Sequence, residues 1–193
     1  GESLERLPAG SRIGTSSLRR RSQISHRRPD MELLDIRGNV DTRLRKLDEG
    51  RYDAIVVAAC GLIRLGIEER ITELLDFSQM LPEPGQGALA VECRVDQGML
   101  EMLSVLEDPI SRACVDAERA FLRALGGGCR VPIAAFASCK DGILDLEGAV
   151  IAPDGHEALR GKASGEMTKP IALGEGLAGR LSQQGAQELL AHK

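Results

Sequence analysis

Arginine follows the carboxyl end of each of three strand-like segments in the first third of this 193-residue chain. In "GTSSLRRR", Thr15, Ser17 and free backbone N–H groups fall at the start of a predicted helix, directly after the strand-like "SRIGT". That is a ready anion site. Arg19 and Arg20 occupy the first turn of this helix, where the helix dipole disfavours cations unless an anion joins them. Arg37 closes the second segment in "IRGN", where Gly38 lets a ligand approach the backbone. Arg43 lies one turn into the next helix, and Arg64 follows the third segment in "GLIRLG". Guanidinium forks match carboxylate or phosphate oxygens in pairs. The pattern points to a multi-anion site; the alternative is solvated charge on helix faces.

A second cluster is "RALGGGCRVPIAAF", residues 123–136, which places three glycines before Cys129. A loop without side chains leaves that sulfur reachable, and Arg130 beside it favours thiolate. Such a thiol can form a covalent bond as a nucleophile. The alternative is a helix C-cap followed by a packed cysteine. A protease would need a partner histidine, and His26, His156 and His192 have no evident catalytic setting.

Composition narrows the classes. Residues 1–70 hold 14 Lys and Arg against 11 Asp and Glu, and the remainder 11 against 18. Twenty of the cations are Arg and five are Lys. An acidic chain with three Phe, one Tyr and no Trp lacks the aromatic platforms of single-strand nucleic-acid binders. Separated arginines also argue against phosphate tracking, so no nucleic-acid partner is expected. No run of about 18 apolar residues could span a membrane, so no membrane partner is expected either. Five cysteines with no C-x-x-C pair fit neither a disulfide framework nor a zinc knuckle. No metal is expected, and the compartment is read as reducing and cytoplasmic. Cys60, Cys93 and Cys114, inside apolar runs, read as small core residues.

The elements that must position these groups fall into two kinds. "SRIGT", "MELLDIR" and "YDAIVVAAC" read as strands, the last buried on both faces, with helices over "SLRRRSQISHRR" and "NVDTRLRKLDEG" between them. Ser16 or Ser17 caps the first helix and Asn39 the second. This alternation means a parallel α/β sheet with ligands at the strands' carboxyl ends. "GLIRLGI" and "ERITELL" read as short helical pieces, and "ALAVECR" as a strand after the Pro- and Gly-broken "FSQMLPEPGQG". "MLEMLSVLED" and "PISRACVDAERAFLRAL" read as helices, the second with an apolar stripe of Ile110, Ala113, Ala117, Phe121 and Leu125. "IAAFASC", "ILDLEGAVI" and "EALRGKASG" then form an antiparallel meander, turning at Asp141-Gly142 and at Pro153-Asp154-Gly155. One helix over "GEGLAGRLSQQGAQELLAHK" closes the chain. The expected fold class is α/β plus α+β. Residues 1–86 form the α/β lobe, 87–108 a crossover segment, and 109–193 a small domain of three antiparallel strands with helices.

Taken together, "GTSSLRRRSQ", "IRGNVDTRLRKL", "YDAIVVAACGLIRLG", "LPEPGQGALAVECR" and "GGGCRVPIAAF" resemble the porphobilinogen deaminase (hydroxymethylbilane synthase) family, in order and spacing over essentially the whole chain. The resemblance implies a periplasmic-binding-protein-like front lobe. It implies that Cys129 carries a dipyrromethane cofactor through a thioether. It further implies that Thr15, Ser17, Arg19, Arg20, Arg37, Gly38 and Arg43 serve the cofactor's carboxylates. Arg64 then lies on the incoming-substrate side, and Gln86 near the domain crossing.

The implied activity is a transferase of tetrapyrrole and heme biosynthesis. Porphobilinogen loses ammonia, the terminal pyrrole of the growing linear chain attacks it, and water releases hydroxymethylbilane after four additions. The family's catalytic aspartate sits in an N-terminal domain of about 100 residues that this sequence does not include. "ALAVECR" would add a strand to that domain. The expectation is therefore a fragment, inactive alone, whose partner is the N-terminal domain, as a separate chain or otherwise. The rival reading is a non-catalytic lobe that senses a small carboxylate.

Overall fold

A computed structural model describes residues 1–128 and 131–191. Cys129, Arg130, His192 and Lys193 lie outside the described residues.

The front of the chain alternates as its periodicity requires: β1 (Arg12–Gly14), α1 (Leu18–Arg27), β2 (Glu32–Leu34), α2 (Val40–Asp48), β3 (Ala54–Ile55) and α3 (Ala59–Arg64). The strands pair in parallel in the order β2-β1-β3, with Ile13 opposite Leu33 on one side and Ala54 on the other. The central strand supplies the core. Ile13 is fully buried and packs with Leu4, Ile24 and Met31. Asn39 caps α2 by accepting from the Thr42 N–H at 2.9 Å, whereas Ser17 precedes α1 without a side-chain cap bond. Arg12 ties β1 to the start of the third segment by donating to both Asp53 carboxylate oxygens, which holds that carboxyl at about 2.

"YDAIVVAAC" departs from expectation. Only Ala54 and Ile55 pair as strand, none of the run is fully buried, and Ala59 and Cys60 already belong to α3, with Cys60 exposed. The run leaves the sheet early because β1 has only three residues to pair with. "ERITELL" is helical only as a single 3₁₀ turn over Glu68–Arg70. "ALAVECR" forms no strand in the described structure, and its Leu89 is 83% exposed. Its apolar pattern has no neighbouring strand to supply a ladder.

The back of the chain contains α4 (Gln97–Ser104), α5 (Pro109–Ala124), β4 (Ile133–Lys140), β5 (Ile143–Ile151), β6 (Ala158–Glu166), α6 (Pro170–Gln183) and α7 (Ala186–Ala191). Asp108 caps α5 by accepting from Ser111 N–H at 2.7 Å, with Pro109 in the first helical position. The stripe Ala113, Ala117, Phe121 and Leu125 is buried as its spacing requires, but Ile110 is half exposed. It lies in the first turn, before α5 reaches the sheet. β4, β5 and β6 form an antiparallel meander. Asp141 and Gly142 both take positive φ at its first turn, as a two-residue hairpin with this twist demands. The final helix is interrupted: Gly185, with φ of 100°, separates α6 from α7.

The meander is covered on both faces where β4 and β5 begin and end. Ala135, Leu144, Leu146 and Val150 pack on Phe121 of α5 and Leu177 and Leu181 of α6. Ala134, Ala149 and Ile151 pack on Leu81 from the front of the chain, and Phe77 stacks on Phe136 with centroids 3.8 Å apart. Each fully buried aliphatic or aromatic side chain there contributes about 1.5–3 kcal/mol. Polar ties cross the same seam. Gln23 donates to Leu81 O and accepts from Leu81 N–H, at 3.0 and 2.8 Å. His26 Nδ1 donates to Gly155 O at 2.8 Å, and Ala135 N–H donates to Pro82 O at 3.1 Å. No helix among the described residues is long and apolar enough to cross a membrane.

Candidate anion-binding cavity

The exits of β1 and β3 meet at a cavity of about 650 Å³. Its lining is apolar along the 54–59 run, Leu62, Leu75 and Met80, and carries charges of both signs: Arg19, Arg20 and Arg70 together with Glu2, Asp53, Glu73 and Glu83, beside Ser17 and Gln86. Of the residues singled out in the sequence, the structure therefore brings Ser17, Arg19, Arg20 and Gln86 into one lining. Thr15, Arg37, Gly38, Arg43 and Arg64 lie outside it.

The hydroxyl run after β1 divides its labour. Thr15 is buried, and its oxygen accepts from Ser17 N–H at 3.4 Å. Ser16 donates to Ile36 O and accepts from Ile36 N–H, at 2.8 and 3.0 Å, tying β1 to the second segment. Ser17 is left on the cavity.

Arg19 is only 5% exposed. Its Nε donates to Ile133 O at the head of β4, Nη1 pairs with Glu83 at 3.1 Å, and Nη2 is buried with no hydrogen-bond partner among the described residues. A buried guanidinium N–H without a partner is costly. Arg20 donates to Val56 O at 3.0 Å. Burial pushes its ionisation down, and so do the neighbouring cations Arg43 and Arg19. Arg43 thus belongs to the same field although it lies outside the lining. Its Nε donates to Gly38 O at 2.8 Å, and Lys46 donates to Arg37 O at 2.9 Å. These bonds knit the loop after β2 to α2. Gly38 has a conformational reason: its φ is 120°, and a Cβ there would meet Thr42 Cγ2 at 2.7 Å. The Arg37 side chain is exposed beside it, and Arg64 is exposed at the end of α3.

The three glycines before Cys129 have separate roles. Gly126 ends α5 at φ of 70°, as a C-cap glycine does. A Cβ on Gly127 would meet Leu122 Cδ1 at 2.5 Å and Ile133 Cδ1 at 2.7 Å, whereas one on Gly128 would meet nothing within 4 Å. Open space therefore adjoins the described end of this loop, and Cys129 itself lies outside the described residues.

Sequence reasoning missed two carboxylates, because a glutamate in a helix or a proline-rich loop reads as surface. Glu83 faces Arg19. Glu118 is buried on α5, accepting from Gly85 N–H at 2.5 Å and from Ala137 N–H at 2.7 Å. It clamps the 82–87 loop to β4. Its position beside the apolar stripe of α5 was the available signal. Burial raises the Glu118 carboxyl above its ordinary 4.5, and the two N–H donors only partly oppose this. The native state therefore keeps a proton that the unfolded chain releases, so this contribution to stability is full below 4.5 and declines as pH rises through the folded value. In Glu118→Gln only one acceptor oxygen remains for two N–H donors, at a cost of about 1–3 kcal/mol. Denaturant unfolding across pH should show the wild-type advantage shrinking as pH rises; a constant difference would contradict the assignment.

Fold and cavity define a class: two mixed α/β units packed along a seam, with a cavity lined by arginines and carboxylates at the parallel strands' carboxyl ends. The family model described as porphobilinogen deaminase, dipyromethane cofactor binding domain, matches residues 1–102, and that of the porphobilinogen deaminase C-terminal domain matches residues 112–183. The chain belongs to the porphobilinogen deaminase family. It is 54% identical over 192 residues to the porphobilinogen deaminase of Roseiflexus castenholzii, covering 99% of this chain and 63% of that protein. It is 51% identical to that of Desulforudis audaxviator, covering 99% and 62%. Against that of Thiobacillus denitrificans it is 50% identical, covering 97% and 61%. The chain thus spans somewhat over three fifths of the length of these relatives.

Proposed function

We propose that this chain is the cofactor-binding and C-terminal part of a hydroxymethylbilane synthase, a transferase of porphyrin and heme biosynthesis that joins four porphobilinogen units on dipyrromethane linked through a thioether to Cys129. The observation that carries the reading is a cavity lined by the buried Arg19 and by Arg20, with Arg43 close enough to act on Arg20. Arg19 and Arg20 on the lining, with Arg43 acting on Arg20 from outside it, fit a ligand with several carboxylates. Bound dipyrromethane supplies the pyrrole primer to which substrate units are joined.

The chain's own residues bind and orient. Arg19 and Arg20 hold acid side arms from the front-lobe wall, with Thr15 and Ser17 fixing the strand exit beneath them. Arg37 and Arg43, on the Gly38 loop, extend the grip outward. Arg64 and Gln86 face incoming porphobilinogen and the growing pyrrole chain. Each guanidinium–carboxylate hydrogen bond in a water-poor site contributes about 1.5–3 kcal/mol.

We divide the chain into a periplasmic-binding-protein-like lobe (1–86), a crossover (87–108) and a C-terminal domain (109–193). The crossover carries exposed apolar residues in "ALAVECR" and α4, including Leu89, Val91, Leu100 and Met102. Its proposed partner is the family's N-terminal domain, which also supplies the catalytic carboxylate. Accordingly, the isolated chain should form no linear tetrapyrrole from porphobilinogen. The proposed setting is cytoplasmic, consistent with the four described cysteines being free.

Intact-mass spectrometry tests the reading. After incubation with porphobilinogen together with the N-terminal domain, a pyrrole-sized mass increment should appear and be lost in Cys129→Ala. An unmodified mass under those conditions, or an increment that survives the substitution, contradicts it.

A further inference from the structure

Glu83 has no part in the reading above, yet it sits on the cation pair that the reading depends on. Its carboxylate lies 3.1 Å from Arg19 Nη1. It is also the carboxylate whose field opposes the downward push of burial, Arg43 and Arg19 on Arg20. The Glu83 side chain is 47% exposed, whereas Arg19 is 5% exposed, so the anion of this pair is far more open to water than the cation.

The backbone under Glu83 is fixed on both sides. Pro82 O accepts from Ala135 N–H at 3.1 Å, and Glu83 O accepts from Gln86 N–H at 2.8 Å. Gly85 N–H donates to the buried Glu118. Pro82 and Pro84 flank the residue and restrict φ on either side. The side chain can therefore swing while the loop stays still.

We propose that Glu83 is a resident counterion of the cavity: it occupies on Arg19 a position that a ligand carboxylate takes, and it sets ligand affinity by competing for that position. The inference rests on the reading that the cavity takes carboxylate side arms. Without a ligand, the buried Arg19 would otherwise lack a counter-charge, which is strongly unfavourable. When a ligand carboxylate enters beside Glu83 at the Arg19 guanidinium, two like charges meet there, and the one with access to water leaves. Such a site discriminates against single carboxylates, which only exchange one anion for another. It favours ligands whose further carboxylates reach Arg20 and Arg43.

Calorimetric titration of the chain with porphobilinogen, and separately with succinate, tests this. The proteins compared are wild type, Glu83→Gln and Glu83→Ala, with folding checked by circular dichroism. Glutamine keeps an acceptor near Arg19 Nη1 without the charge. Both variants should bind either probe about three- to tenfold more tightly, the scale of one partly exposed ion pair. Added succinate should raise their melting temperatures more than that of wild type. Unchanged or weaker binding in folded variants would make Glu83 a support for Arg19 and overturn the proposal. Should the variants not fold, wild-type binding of acetate as tight as that of succinate would overturn it too, because displacement of a resident carboxylate penalises a lone one. Tightened succinate binding with no porphobilinogen binding in any protein would uphold the counterion and overturn the porphobilinogen reading. Failure of both probes to bind any of the three overturns both.

Discussion

Gly174→Ala is expected to destabilise the folded chain by about 1–3 kcal/mol, although alanine is the better helix former. Gly174 lies in α6 against α5 and is buried. A Cβ there would stand 2.7 Å from Phe121 N and 2.8 Å from Ala120 Cβ, and would also press on the Ala117 carbonyl. Two of those contacts are backbone atoms of a neighbouring helix, which cannot rotate away. The helices must part, and the cluster around Phe121 and Leu177 loosens with them. Intrinsic propensity alone would favour alanine by about 0.8–1 kcal/mol, so packing decides the sign. Gly179, on the same helix, is the internal control: a Cβ there would meet nothing within 4 Å, and Gly179→Ala should be neutral or slightly stabilising. Urea unfolding should show a lower midpoint with an unchanged slope for Gly174→Ala alone. Equal midpoints for the two variants would contradict the packing described for α5 and α6.

Arg20→Leu is expected to cost porphobilinogen affinity by about tenfold or more, the loss of at least one charge-assisted hydrogen bond, while leaving stability unchanged or improved. The two effects separate because Arg20 is charged at the expense of the fold. It is partly buried, and both burial and the neighbouring Arg43 and Arg19 disfavour its cation. Its side-chain hydrogen bond to Val56 O at 3.0 Å is a modest offset. A group that the fold tolerates poorly but that lines the cavity is expected of a binding residue. Arg20→Lys should not restore full affinity, because an ammonium cannot present a planar fork to a carboxylate. Titration and thermal melting check both halves. Unchanged affinity, or a large loss of stability, would make Arg20 a structural residue.

Much of this molecule is legible in its residues where local rules act alone. Asn39 caps α2, Pro109 opens α5, Gly126 closes it, and Asp141-Gly142 makes the first hairpin turn. The stripe on α5 is buried apart from Ile110. Readings went astray where the partner lies far along the chain. "YDAIVVAAC" carries strand-like residues but pairs over two of them, because its length in the sheet is set by β1. "ALAVECR" alternates like a strand and pairs with nothing described. The surface doubly covered by packing is instead part of the β4–β5 hairpin, shielded by Leu81 on one side and α5 and α6 on the other.

The site shows the same division. Arg19 and Arg20 were visible as cations out of place at a helix start. Ser17 was singled out beside them, but the reason that Ser16 turns away was not visible, because it depends on the Ile36 backbone twenty residues away. Glu83 and Glu118 were invisible for the same reason: their partners, Arg19 and the Ala137 N–H, are brought near only by the seam between the two halves.

A crystal structure of the chain soaked with porphobilinogen interrogates the central assignment most directly. Ligand carboxylate oxygens are expected within hydrogen-bond distance of the Arg19 and Arg20 guanidinium groups, with the Glu83 side chain turned out to solvent. Porphobilinogen held away from both arginines, or a cavity that stays closed around an undisturbed Arg19–Glu83 pair, would contradict it.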